Sequence, residues 1–86
     1  SFVVAVPTFA SLDALKATVI GTLRLPSVLR IKGRARIAGR VSPAVVQAVG
    51  PRVETWFASE GGTGDGLVVI GLRDMDRAAV AARLAG

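Results

Sequence analysis

The chain has 86 residues, 51% of them hydrophobic and 20% charged, with a mean hydropathy of +0.55 and a formal net charge of +5. Those values fit one small domain near the lower size limit for unaided folding, and they exclude a disordered tail. Nine of the eleven cations are Arg, and there is neither Cys nor His. A disulfide framework, an imidazole base and the commonest metal ligands are therefore excluded.

No apolar run approaches the roughly 18 residues needed to cross a bilayer, and Ser1 to Ala10 lacks the basic leader of a signal peptide. The first residue is Ser rather than Met, so a longer parent chain is expected.

Phe2 to Val6 is short and β-branched and is closed by Pro7, which predicts a buried strand. Ser11 can cap a helix, and Asp13 suits its positive end. Leu12, Leu15, Val19 and Leu23 follow at spacings of three and four, predicting a helix over 12–23 that Pro26 terminates.

From Leu29 to Ile37 the pattern is strict alternation. Leu29, Ile31, Gly33, Ala35 and Ile37 share one parity, and Arg30, Lys32, Arg34 and Arg36 share the other. Successive strand side chains point to opposite faces, so one amphipathic strand presents four cations together. Gly39 to Pro43 supplies turn residues, and Ala44 to Phe57 is expected as one extended run with a bulge, edge position or bend at Gly50-Pro51. Within that run Arg52, Glu54 and Trp56 share a parity.

Ser59 to Gly66 is a loop by composition. Leu67 to Leu72 is apolar on both parities, as in a central strand, and Asp74 is expected to cap a last helix from Met75 to Leu84. The expected architecture is a single α+β two-layer sandwich over residues 1–86, in the order strand-helix-strand-strand-strand-helix. Its sheet is mainly antiparallel, with both helices on one face.

No catalytic apparatus is visible. The glycines of the loop precede a strand and no Lys or Ser follows them, so they lack the context of a phosphate-binding loop. The six carboxylates include none that cluster with a nucleophile or approach a full cation shell, so a free-standing enzyme is disfavoured. The basic strand admits a second class of function, a small nucleic-acid-binding module. Only four aromatics, Phe2, Phe9, Trp56 and Phe57, are available for base stacking, and Arg34 and Arg36 occupy the stacking positions. Four cations on one strand repel one another, and folding alone does not require them. The expected site is accordingly a non-catalytic partner-binding face of Arg30, Lys32, Arg34, Arg36, Arg52 and Trp56, docking an acidic surface.

Six segments also carry a resemblance. Ser1-Phe-Val-Val, Ser11-Leu-Asp-Ala-Leu, Val28-Leu-Arg-Ile-Lys-Gly33, Val45 through Phe57, Leu67-Val-Val-Ile-Gly71 and Asp76-Arg-Ala-Ala79 occur in one order. The chain thereby resembles the C-terminal domain of CobW-type proteins, P-loop GTPases implicated in metal delivery and cobalamin biosynthesis. The resemblance covers nearly the whole chain, and the connection from Phe57 to Leu67 is shorter than the family's. It implies an interaction or regulatory domain of a cytoplasmic, GTP-dependent metallochaperone whose GTPase domain is absent here. GTP and a divalent metal are implied for the parent protein, with no cofactor in this domain. The implied partners are its own GTPase domain or a metal-requiring client, with no membrane. The family's GTP and metal residues belong to the absent domain, so none carries over to a position here.

Overall fold

The computed structural model describes residues 1–59 and 66–85. In chain order the elements are β1 (Phe2–Val4), α1 (Leu12–Leu23), β2 (Val28–Ala35), β3 (Ala44–Val49), β4 (Arg52–Phe57), β5 (Gly66–Gly71) and α2 (Arg77–Leu84). They form an α+β sandwich whose single sheet runs β1-β5-β2-β3-β4 with every neighbouring pair antiparallel. One parallel bridge, Phe9 to Ile37, extends β2 beyond its last ladder residue. The glycines expected as a loop at 61, 62 and 64, with Glu60 and Asp65, lie outside the described residues.

Helix α1 forms where its capping and apolar spacing predict. The Ser11 Oγ accepts from the Ala14 amide at 3.1 Å, and Asp13 sits in the first turn. Leu15 and Val19 are buried, while Leu12 and Leu23 are partly buried at the margin of the core. Thr22 is also fully buried, which the apolar spacing does not reveal. Its Oγ1 donates to the Thr18 carbonyl at 2.8 Å, so burial leaves no unsatisfied group.

The run from Ala44 to Phe57 is two strands, not one. Val49 pairs with Arg52, leaving Gly50-Pro51 as a two-residue turn. Gly50 has φ +58° at the first central position and the ring of Pro51 fixes φ at the second, which is what a type II′ hairpin turn requires. Strand β2 starts with a bulge between Val28 and Arg30. Val28 therefore enters the core, and Leu29, expected inward, is 48% exposed. β1 is a three-residue edge strand, and its Val3 is 66% exposed rather than buried. The last helix is capped by Asp76, not Asp74, through the Ala79 amide at 3.0 Å. Asp74 instead accepts the Ser27 hydroxyl at 2.6 Å, tying the α1–β2 connection to the β5–α2 connection.

The core lies between the helices and one sheet face. Ile31 and Ala35 of β2, Ala44, Val46 and Ala48 of β3, and Leu67 and Val69 of β5 meet Leu15 and Val19 of α1 and Val80 and Leu84 of α2. The small inward residues of β3 leave room for a helix layer at ordinary packing density. At both sheet edges a half-buried phenylalanine is capped by a cation. The Arg77 guanidinium lies 5.3 Å from the Phe2 ring on β1, and Arg40 lies 4.5 Å from the Phe57 ring on β4.

Two positions give stability predictions. Gly33, in the middle of β2, has φ +143°, and a Cβ there would strike the Gly66 carbonyl oxygen and come within 3.0 Å of the Leu67 Cα. Gly33→Ala should therefore cost about 2 kcal/mol or more. Thermal unfolding followed by circular dichroism should show a midpoint about 10 °C lower.

Ser27 is the described non-glycine residue at positive φ, +69°, and its carbonyl also accepts the Leu72 amide at 2.8 Å. Ser27→Ala keeps the left-handed strain and loses the bond to Asp74, whereas Ser27→Gly loses the bond and relieves the strain. Denaturant titration should rank the alanine variant about 1 kcal/mol below the glycine variant. Equal stabilities would mean that the strain is negligible.

Candidate functional site

Both helices cover the same side of the sheet, so the other side is an open face built by strand parity. The register aligns three rows across it. Ile70, Arg30, Val49 and Arg52 form one; Val68, Lys32, Gln47 and Glu54 form the next; Gly66, Arg34, Val45 and Trp56 form the third. Val3 extends the middle row onto β1. Arg30, Lys32, Arg34, Arg52 and Trp56 thus lie on one surface, and Trp56 is 42% exposed there.

Arg36 is placed differently. It follows the last residue of β2, is half-buried, and donates from Nη1 to the Val41 carbonyl at 2.8 Å, bracing the β2–β3 connection.

The face carries four cations, Arg30, Lys32, Arg34 and Arg52, against the single described carboxylate of Glu54. Arg52 Nη1 stands 4.0 Å from Glu54 Oε1, and both side chains are largely exposed, so the pair contributes little to stability. The β2 cations lack any such neighbour among the described residues. Their cross-strand partners are Val49, Gln47 and Val45 on β3 and Ile70, Val68 and Gly66 on β5. An exposed sheet face ordinarily gains from opposite charges facing across strands. Here a cationic column runs between two neutral, mainly apolar ones.

Two shallow depressions flank Lys32. One, of about 370 Å³, lies toward Arg30 and Val49, and the other, of about 250 Å³, toward Arg34, Val45 and Val68. A third, of about 320 Å³, lies on the helical side between Ile20, Leu23 and Val53. None holds a constellation of chemistry-bearing groups. Among the described residues no three carboxylates come together as metal ligands.

The apolar members of the face, Val3, Val45, Val49, Val68 and Ile70, escape a reading by charge alone. Their signal is present but indirect. Once Gly50-Pro51 is recognised as a two-residue turn, parity carries from Arg52, Glu54 and Trp56 back to Val49, Gln47 and Val45.

Comparison with known proteins places these features in a family. The model described as the cobalamin synthesis protein cobW C-terminal domain matches residues 1–86. A curated zinc chaperone CobW of Sinorhizobium sp. is 39% identical over 88 residues, covering 98% of this chain and 25% of that protein. The chain therefore spans about a quarter of the length of the curated relative it matches. Among solved structures, a zinc-bound triple mutant of the YjiA GTPase shares the fold at a TM-score of 0.73 and 18% identity, covering 99% of this chain and 29% of that one. Matched by the family model over residues 1–86, the chain belongs to the CobW C-terminal domain family.

Proposed function

We propose that the chain is the non-catalytic interaction domain of a GTP-dependent metallochaperone of the CobW type. It docks through its open sheet face onto its own GTPase domain or onto a metal-requiring client, in the cytoplasm. The observation that carries this reading is the column of Arg30, Lys32 and Arg34 set among apolar side chains with no described carboxylate opposite. Such a surface gives little to its own fold and is complementary to an acidic, partly apolar one.

Zinc is common to the names of the curated chaperone and the solved GTPase structure. Cobalamin belongs to the family description. The reading assigns GTP and the transferred metal to the parent's remaining domain, and a regulatory effect to the docking of this one.

Measurements on the 86-residue chain and on a full-length parent test it. The 86-residue chain should bind neither GTP nor stoichiometric metal, since it has no Gly-Lys-Ser/Thr phosphate loop and no Cys or His. Titration calorimetry should give no heat at micromolar nucleotide, and chelated protein re-exposed to zinc and desalted should return a metal ratio near zero. Micromolar affinity for either would contradict the reading.

In a full-length parent, Arg30→Glu with Arg34→Glu should leave nucleotide affinity unchanged. It should alter GTP turnover or metal transfer several-fold and flatten the salt dependence of both. Turnover and transfer identical to the unaltered parent would leave the face merely solvated.

A further inference from the structure

The columns of the open face specify more than a sign of charge. β5 contributes Val68 and Ile70, β2 contributes Arg30, Lys32 and Arg34, and β3 contributes Val45 and Val49 around Gln47. Val49 is 51% exposed and Trp56 42% exposed at the β4 margin. A cationic line is therefore bordered by an apolar track on each side.

β5, β2 and β3 each lie between two hydrogen-bonded neighbours, so this surface offers mainly side chains rather than a free strand edge. Any segment that dries this face must satisfy its own backbone internally, and a helix does so while an isolated extended peptide does not. A helix about 10 Å across spans two inter-strand spacings of about 4.8 Å, so centred on β2 it reaches β5 and β3 together. Cations on alternate residues of β2 recur about every 6.7 Å, and four residues of helix advance about 6.0 Å. Carboxylates on one helical line stay within reach of the three cations.

We propose that the open face docks an acidic amphipathic helix of a separate partner protein. The helix lies along β2 with its carboxylates over Arg30, Lys32 and Arg34 and its apolar flanks on β5 and β3. The proposal rests on the metallochaperone reading, in which the domain must meet another protein. Nucleic acid would engage the cations but leave both tracks of aliphatic side chains unused, and Trp56 is the single aromatic on the face.

Trp56, the chain's one tryptophan, stands on β4 beside the β3 flank of the helix, so its emission reports a segment docked against that margin. The probe is a synthetic helix-forming peptide of about 14 residues, with Glu at positions i, i+4 and i+7 and Leu on both flanks. Added to the 86-residue chain, it should shift Trp56 emission to the blue with a saturable, micromolar dissociation constant. Arg30→Glu with Lys32→Glu should weaken binding at least tenfold, as should raising salt to about 0.5 M. Val49→Asp, which leaves all the cations in place, should weaken it by a similar factor. Each altered residue is exposed, and circular dichroism should show an unchanged fold.

A scrambled peptide of the same composition that binds equally well would overturn the proposal. So would a single-stranded RNA oligonucleotide that displaces the peptide at lower concentration. A full-length parent that excludes the peptide, while its turnover still responds to Arg30→Glu with Arg34→Glu, would give the face to the parent's own GTPase domain. In that case the docking reading stands and the separate helix is overturned.

Discussion

The close approach of β2 to β5 at Gly33 is the constraint on which the rest of the sheet depends. β2 is the middle strand, and its backbone meets β5 at a point where even a methyl group would strike the Gly66 carbonyl. That contact fixes the β2–β5 register, which in turn sets which residues of β2 face the helices. Ile31 and Ala35 fall inward onto the helix layer, and Arg30, Lys32 and Arg34 fall outward. A slip of one residue would drive three cations into the core, at a cost far beyond the margin of so small a domain. The cationic column and the hydrophobic core are thus two consequences of one register.

Much of this was legible wherever a local rule had no competitor. The alternation of β2 could be read because charge and aliphatic residues change places at every step, a contrast that burial enforces. Helix α1 was legible in the same way, through Ser11, the Leu-Leu-Val-Leu spacing and Pro26. Sequence and structure differ where two local choices are equally good and tertiary structure decides. Asp74 and Asp76 are both sound capping residues, but Ser27, remote in sequence, engages Asp74 and leaves the helix start to Asp76. The Leu29 bulge exists only in relation to β5, so nothing in the segment itself announces it. In the sequence Gly50-Pro51 reads as an interruption of a strand and not as a reversal. Apolar residues continue on both sides of it, and that continuity mimics a single long strand. The open face was legible in its charges and hidden in its aliphatic residues, since a valine in a strand reads by default as core.

The two edges show how a sheet of five strands is finished with only two short helices. Phe2 on β1 and Phe57 on β4 are only half-buried. Arg77 and Arg40 lie over those rings, supplying a cation–π contact and covering aromatic surface with the stems of their own side chains. Arginine therefore has different duties on the two sides of the sheet. On the helical side it closes the margin of the core, and at position 36 it braces a loop through the Val41 carbonyl. On the open side it is left facing solvent.

That division separates positions fixed by packing from positions that packing leaves free within single strands. Inward positions of β2 and β3 are fixed by packing, where loss of one or two methylene groups is felt at about 1 kcal/mol each. Outward positions of the same strands touch no helix, and exchanging them changes stability by only a few tenths of a kcal/mol. A sequence shaped by folding alone would thus leave the outward column free to hold neutral residues or charges of both signs. It holds three cations of one sign between aliphatic neighbours, an arrangement that repels itself and exposes apolar surface at once. Both costs disappear together when a surface carrying carboxylates and apolar groups covers the face. The docking proposed above thus accounts with one physical cause for both features of the open side that folding leaves unexplained.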